Sequence, residues 1–203
     1  MRPNDSTVIS WQAEEPVVLG TASARRHRVL RDLGIPFEVA TADVEEMLDP
    51  QDPVRTAATN ARRKFDALRV RYPDRWLLTA DTVVFESGRC LGKPADVEEG
   101  VRMLVSYSES VQLVVTAMVF AEPGGEPEPR EVVSSLRFGR VTEADARAYL
   151  AAYGTTDRAG AYDLESFHDH VERIAGSATN IRGIPEETVA DWFRGKRCHG
   201  WPR

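Results

Sequence analysis

Apolar positions in this chain change their spacing several times, and each change marks an element. Val17-Val-Leu19 is a short apolar run that predicts a buried strand, and the small-residue turn Gly20-Thr-Ala-Ser23 follows it. From about Ala24 the period becomes helical, with Val29, Leu30 and Leu33 on one stripe and Gly34 and Pro36 ending the helix. Phe37-Glu-Val-Ala-Thr41 alternates as a strand does. Asp52-Pro53 then opens a longer helix to about Val70, with apolar residues at 54, 57, 58, 61, 65 and 68. Leu77-Leu-Thr-Ala-Asp-Thr-Val-Val-Phe85 is apolar and rich in β-branched residues, which predicts a largely buried central strand.

Beyond it, Asp96-Val-Glu-Glu99 has the pattern of a capped helix start, and that helix is expected to pack Val97, Val101, Leu104 and Val105. Val111 to Phe120 and Val132 to Val141 read as the arms of a β-hairpin, with Glu122-Pro-Gly-Gly-Glu-Pro-Glu-Pro129 as a mobile tip. Thr142-Glu-Ala-Asp145 opens another helix, expected to bury Ala146, Tyr149, Leu150 and Tyr153. Val171-Glu-Arg-Ile174 and Thr179 to Arg182 are expected to be two arms of a last hairpin around Gly176. Ile184-Pro-Glu-Glu187 starts a final helix with Val189, Trp192 and Phe193 on its apolar face. Strands and helices alternate at first and strands then pair locally, so the expected fold is α/β. A mixed, twisted central sheet is flanked by helices, with a cleft between two lobes. Residues 1–15 are expected to be a flexible leader, 16–195 a single domain and 196–203 a tail.

Composition narrows the classes. Hydrophobic residues make up 42% and charged residues 29% of 203, and no apolar run approaches the roughly 18 residues that cross a membrane. The polar, acidic start lacks the pattern of a signal peptide, which points to the cytoplasm. Cys90 and Cys198 are far apart in sequence and belong to no metal-spaced pair, even with His199 beside the second. A net charge of -6 argues against binding a nucleic-acid duplex. Basic residues nevertheless cluster at Arg25, Arg26 and Arg28 and at Arg62, Arg63 and Lys64, as in a pocket for a small phosphorylated ligand.

Asp81 is the sharpest chemical signal, because a carboxylate inside an apolar strand must meet a cation, donors or a metal. Leu91-Gly-Lys-Pro94 follows shortly after, so carboxylate, hydroxyl and ammonium fall within a dozen residues, as a metal-assisted reaction on a polyanion requires. An aspartate capping a turn and a solvated lysine explain the same residues. Likewise the turn before Ala24 can hold phosphate at a helix N-terminus through Thr21 and Ser23, or simply cap the helix. Asp43, Glu45 and Glu46 can be a solvated loop or metal ligands. Asp157-Arg-Ala-Gly-Ala-Tyr162 can let backbone approach a ligand or fill a tight turn.

Together these stretches resemble the Maf family of septum-formation proteins, which act as nucleoside triphosphate pyrophosphatases. Leu19-Gly-Thr-Ala-Ser-Ala-Arg-Arg26 is similar to that family's LASxSPRR, Val44-Glu-Glu46 to VDE, and Ala61-Arg-Arg-Lys64 to its helix lysine. Ala80-Asp-Thr82 resembles ADT, Leu91-Gly-Lys-Pro94 LGKP, Val115-Thr-Ala117 VTA, Asp157 to Tyr162 DKAGAY, and Gly183-Ile-Pro185 GLP. The order is kept from about Val17 to Phe193. The resemblance implies a fold shared with inosine triphosphate pyrophosphatases, and hydrolysis of a nucleotide between its α- and β-phosphates with a divalent metal, Mg²⁺ or Mn²⁺. It implies Asp81, Lys64 and Lys93 as catalytic residues and Asp81 with Glu46 as metal ligands. Ser23, Arg25, Arg26, Thr82 and Glu165 are the implied substrate-binding residues. The expected partners are the nucleotide and, as an assembly, a homodimer.

The chain departs from the pattern at Thr21, Ala24 and Arg158, and most of all at Asp163-Leu-Glu-Ser166, where members acting on dTTP and UTP carry GIQG. Glu165 resembles the branch acting on 7-methyl-GTP, yet that branch has tryptophan and glutamine at the positions of Arg25 and Thr82. A carboxylate only accepts hydrogen bonds, so Glu165 facing a pyrimidine would weaken dTTP and UTP turnover. A regulator of cell division that binds nucleotide without turnover, and an enzyme of the inosine triphosphate type, are the alternatives.

Overall fold

The computed structural model describes residues 8–11, 13–154 and 159–196. Its frame is a seven-stranded mixed sheet in the order β2-β1-β3-β5-β6-β7, with β4 (Arg89–Leu91) paired to the end of β3. β1 (Val17–Gly20) lies parallel between β2 (Phe37–Val39) and β3 (Leu77–Glu86). β5 (Val111–Ala121), β6 (Glu128–Phe138) and β7 (Val171–Ala175) continue antiparallel. The central strand β3 thus joins a parallel half to an antiparallel half. The expected mixed α/β sheet with flanking helices is the one found.

Side chains alternate across a strand, and the partners of β3 follow that rule. Leu77, Thr79, Asp81 and Val83 face α2 (Pro53–Arg71), where Thr79 Oγ1 donates to Ala61 O at 2.8 Å. Leu78 and Ala80 face the opposite cluster, built by Val29 and Leu30 of α1 (Ala24–Asp32) and by Trp192 and Phe193 of α6 (Glu186–Gly195). Val84 joins a third cluster, beneath α3 (Val97–Ser106) and α4 (Glu143–Tyr153), with Leu104, Phe138 and Phe167. The first two clusters sandwich one lobe and the third fills the other. Close layering needs small residues at the crossing. A Cβ on Gly20 would stand 2.6 Å from Thr79 Cγ2 and 2.7 Å from Leu68 Cδ1, so with α2 this near β1 an added methyl has to displace one of those side chains or the helix.

Several expectations change. Thr179 to Arg182 is no strand arm: Ala178–Ile181 forms a short helix, α5, capped by Ser177, whose Oγ accepts from Asn180 N. Gly176, at φ 84°, turns the chain out of β7 before that helix begins. Val97 and Tyr153, expected inside, are 53% and 57% exposed, because α3 and α4 pack on Val101 and Leu104 and on Ala146 and Leu150 instead. The carboxylate of Glu99 accepts from Ala95 N rather than from the capping residue Asp96. Part of the expected leader is packed: Ile9 is buried with its N–H on Leu33 O, and Trp11 meets Trp76 and Phe193 edge to face. Residues 1–7 and 12 of the expected leader, 197–203 of the expected tail 196–203, with Cys198 and His199, and 155–158, with Asp157 and Arg158, lie outside the described residues. Among the described residues no helix is long and apolar enough to cross a membrane.

Candidate active site

A cleft of about 750 Å³ opens where the β1–α1 turn faces the middle of β3. Ser23, Arg25, Arg26, Glu46, Lys64, Asp81, Thr82 and Lys93 all line it, so eight residues scattered over seventy positions of sequence converge. Asp81 is 8% exposed and opposite Ala117 in the sheet. Its Oδ1 accepts from Lys64 Nζ at 2.6 Å, and its Oδ2 from Asn60 Nδ2 at 3.2 Å. Lys64 Nζ also lies 2.7 Å from Glu46 Oε1. One ammonium therefore bridges two carboxylates, which resolves the burial problem that Asp81 posed in the sequence.

The polar side of α2 creates this arrangement. Thr56, Asn60 and Lys64 recur every four residues, so they share one ridge beside the apolar stripe of Ala57, Ala61, Phe65 and Leu68. Asn60 accepts from Met47 N at 2.7 Å and donates to Met47 O at 2.9 Å, while Thr56 Oγ1 exchanges hydrogen bonds with the Asp49 backbone. These bonds fasten the acidic loop to α2 and hold Glu46 over Asp81. Asn60 was not among the sequence-derived candidates, although its four-residue spacing from Lys64 was available as a signal.

Arg26 belongs to the frame more than to the open cleft. Its Nε donates to Gly183 O at 2.8 Å, Nη1 to Thr21 Oγ1 and Ala80 O at 3.0 Å each, and Nη2 to Thr82 Oγ1 at 2.8 Å. Four of its five N–H groups are thus engaged. Burial pushes its pKa down, against the attraction of Asp81. Thr82 points to the face opposite Asp81 and completes the frame with Thr116 Oγ1 at 2.9 Å and Gly183 O at 3.0 Å. Arg25 and Lys93 also line the cleft, and they pair with no carboxylate of the described residues. Ser23 caps α1 without a side-chain bond, which leaves its hydroxyl available.

Lys93 is positioned by the small-residue loop: Gly160, at φ 78°, donates its N–H to Gly92 O at 3.1 Å, and Tyr107 Oη anchors Gly160 O at 2.9 Å. Tyr162, buried with its hydroxyl on Gln112 Oε1, forms an apolar wall with Val84, Val114, Leu164 and Ile181. That wall was not anticipated from sequence, because its members are ordinary core residues in their own elements. Glu165 is not part of the lining. It borders a shallower depression next door, with Arg28 Nη1 at 3.6 Å and Arg182 Nε at 3.5 Å from its carboxylate.

Comparison with known proteins follows the same lines. The chain is 32% identical over 178 residues to a dTTP/UTP pyrophosphatase of Desulfotalea psychrophila, covering 86% of this chain and 91% of that one. It is 34% identical over 180 residues to a dTTP/UTP pyrophosphatase of Deinococcus radiodurans, covering 88% and 92%. The Ham1 protein of Staphylococcus aureus shares the fold, with a TM-score of 0.51 at 13% identity over 90% of this chain and 100% of that one. A family model described as Maf-like protein matches residues 16–195, and the chain belongs to that family.

Proposed function

We propose that this protein hydrolyses nucleoside triphosphates between the α- and β-phosphates, with pyrimidine nucleotides such as dTTP and UTP as the substrate class. The observation that carries the reading is the buried Asp81 carboxylate, joined through Lys64 to Glu46 beneath a cleft bordered by Arg25 and Lys93. The relatives named dTTP/UTP pyrophosphatases support the pyrimidine class.

Asp81 and Glu46 offer oxygen donors at one point, the chemistry that Mg²⁺ or Mn²⁺ prefers, and two carboxylates leave positions for substrate oxygens and water. A divalent ion held there would supply charge neutralisation on the phosphates. Arg25, Lys93 and the Ser23 hydroxyl bind the polyphosphate. Asp81 accepts a proton from the attacking water as its oxygen bonds to the α-phosphorus and the bond to the bridging oxygen breaks. Cationic side chains stabilise the negative charge that moves onto departing pyrophosphate. The apolar wall by Tyr162 shields the nucleoside end from water. A cytoplasmic site of action and a homodimeric assembly are part of the same proposal.

Pyrophosphate release measured over dTTP, UTP, CTP, GTP and ITP with Mg²⁺ or Mn²⁺ tests this. Asp81→Asn is expected to lose at least about a hundredfold in turnover while keeping its circular dichroism spectrum. Turnover at the unaltered rate would remove Asp81 from the chemistry. A regulator that binds without turnover is not favoured, because the cleft keeps its carboxylates and cations and the relatives are named as enzymes. Saturable binding with no release for any nucleotide would reinstate it.

A further inference from the structure

Lys64 occupies the place where a divalent ion would be held. Its Nζ lies 2.6 Å from Asp81 Oδ1 and 2.7 Å from Glu46 Oε1, and its side chain is 14% exposed. These are the two carboxylates that line the cleft. Two cations on the same pair of carboxylates repel each other, most strongly at the Asp81 end, where the side chain is 12% exposed, and less at Glu46, which is 60% exposed. Charge counting gives the same answer: with the ammonium the trio carries one net negative charge, and a divalent ion replacing it makes the two carboxylates neutral. Asp81 would not lose its orientation in the exchange, because Asn60 Nδ2 holds Oδ2 independently of Lys64.

We infer that Lys64 is a resident counter-ion, exchanged for the divalent metal and handed over to the polyphosphate, so that metal and nucleotide bind cooperatively. This rests on the metal-assisted reading above. Without nucleotide the displaced ammonium has no anion to move to, and the metal competes with it. With nucleotide the phosphates receive the ammonium and the carboxylates become free for the metal. Lys64 is in this respect a positioning residue that couples two ligands, in addition to any attraction it exerts on the substrate.

The test reads metal binding, not turnover. Protein stripped with chelator is titrated with Mn²⁺, and free Mn²⁺ is followed by electron paramagnetic resonance, with and without an α,β-methylene analogue of UTP, the Mn²⁺ held by the analogue alone being subtracted. The wild-type protein is expected to bind Mn²⁺ weakly alone and at least tenfold more tightly with the analogue. Reciprocally, Mn²⁺ should strengthen analogue binding by the same factor. Lys64→Met should bind Mn²⁺ alone at least tenfold more tightly than wild type, with most of the coupling to the analogue lost. Lys64→Gln serves if the methionine variant does not fold. Equal or weaker Mn²⁺ binding by the folded variant overturns the exchange while leaving metal-assisted hydrolysis standing. Absence of Mn²⁺ binding by every form, even with the analogue, overturns the metal-assisted reading and the exchange together.

Discussion

Asp81 has a cation on one oxygen and an amide on the other, so the charge that looks costly in an apolar strand is satisfied from a single helix face. Glu165 is a different kind of carboxylate. It is half-exposed, and its two arginine neighbours stand at 3.5 and 3.6 Å, distances at which surface ion pairs are worth about 0–1 kcal/mol. Its place outside the cleft lining changes the expectation that its motif raised. Glu165→Gln is expected to alter unfolding free energy by under about 1 kcal/mol. It should also leave the turnover ratios of dTTP and UTP to GTP and CTP within roughly threefold, since its carboxylate faces Arg28 and Arg182 rather than the cleft. A gain of about tenfold for dTTP and UTP, measured side by side, would put the side chain on the base.

Among elements, α2 and α5 show what sequence can and cannot reveal. The helix Pro53–Arg71 was legible because nineteen residues give several turns of apolar period and a proline start. Helix α5 has four residues, too few for any period, and its Thr and Ile favour strands in isolation. It exists because Asn180, fully buried, donates from Nδ2 to Val114 O at 3.0 Å and Val132 O at 3.2 Å, tying the turn to two strands. Such a tie lies in tertiary contact rather than local pattern. Asn180→Ala leaves those carbonyls without their side-chain donor and is expected to cost about 1–3 kcal/mol. Urea unfolding would show it as a lowered midpoint with an unchanged slope. A midpoint within error of wild type would mean that the tie carries no stability. The same limit hid Asn60 and the wall of Val84, Val114 and Ile181, whereas Asp81 and Lys93 stood out as charges in an apolar strand and a turn, and Glu46 and Lys64 as members of charge clusters.

At the scale of the molecule, the cleft exists because three apolar clusters are arranged around one strand, two across its first half and one beneath its second. The far end of that assembly is tied down separately: Lys196 reaches Glu122 and Glu128 from the β5–β6 hairpin and lies over the Trp192 ring. What brings Lys64 to Asp81 is the spacing between α2 and the sheet, and Gly20 sets it from below. Thr79 cannot rotate aside without giving up its bond to Ala61 O, so an added methyl pushes the helix outward unless the Leu68 side chain moves away. Gly20→Ala is therefore expected to cost about 1–3 kcal/mol by overpacking, and to lower turnover by roughly tenfold to a hundredfold through displacement of the ammonium. Steady-state kinetics on the folded variant would read this, and unchanged turnover would show that Leu68 yields instead. In a machinist's terms Gly20 is a shim of zero thickness, and the clearance between two layers of the fold becomes a working tolerance of the reaction.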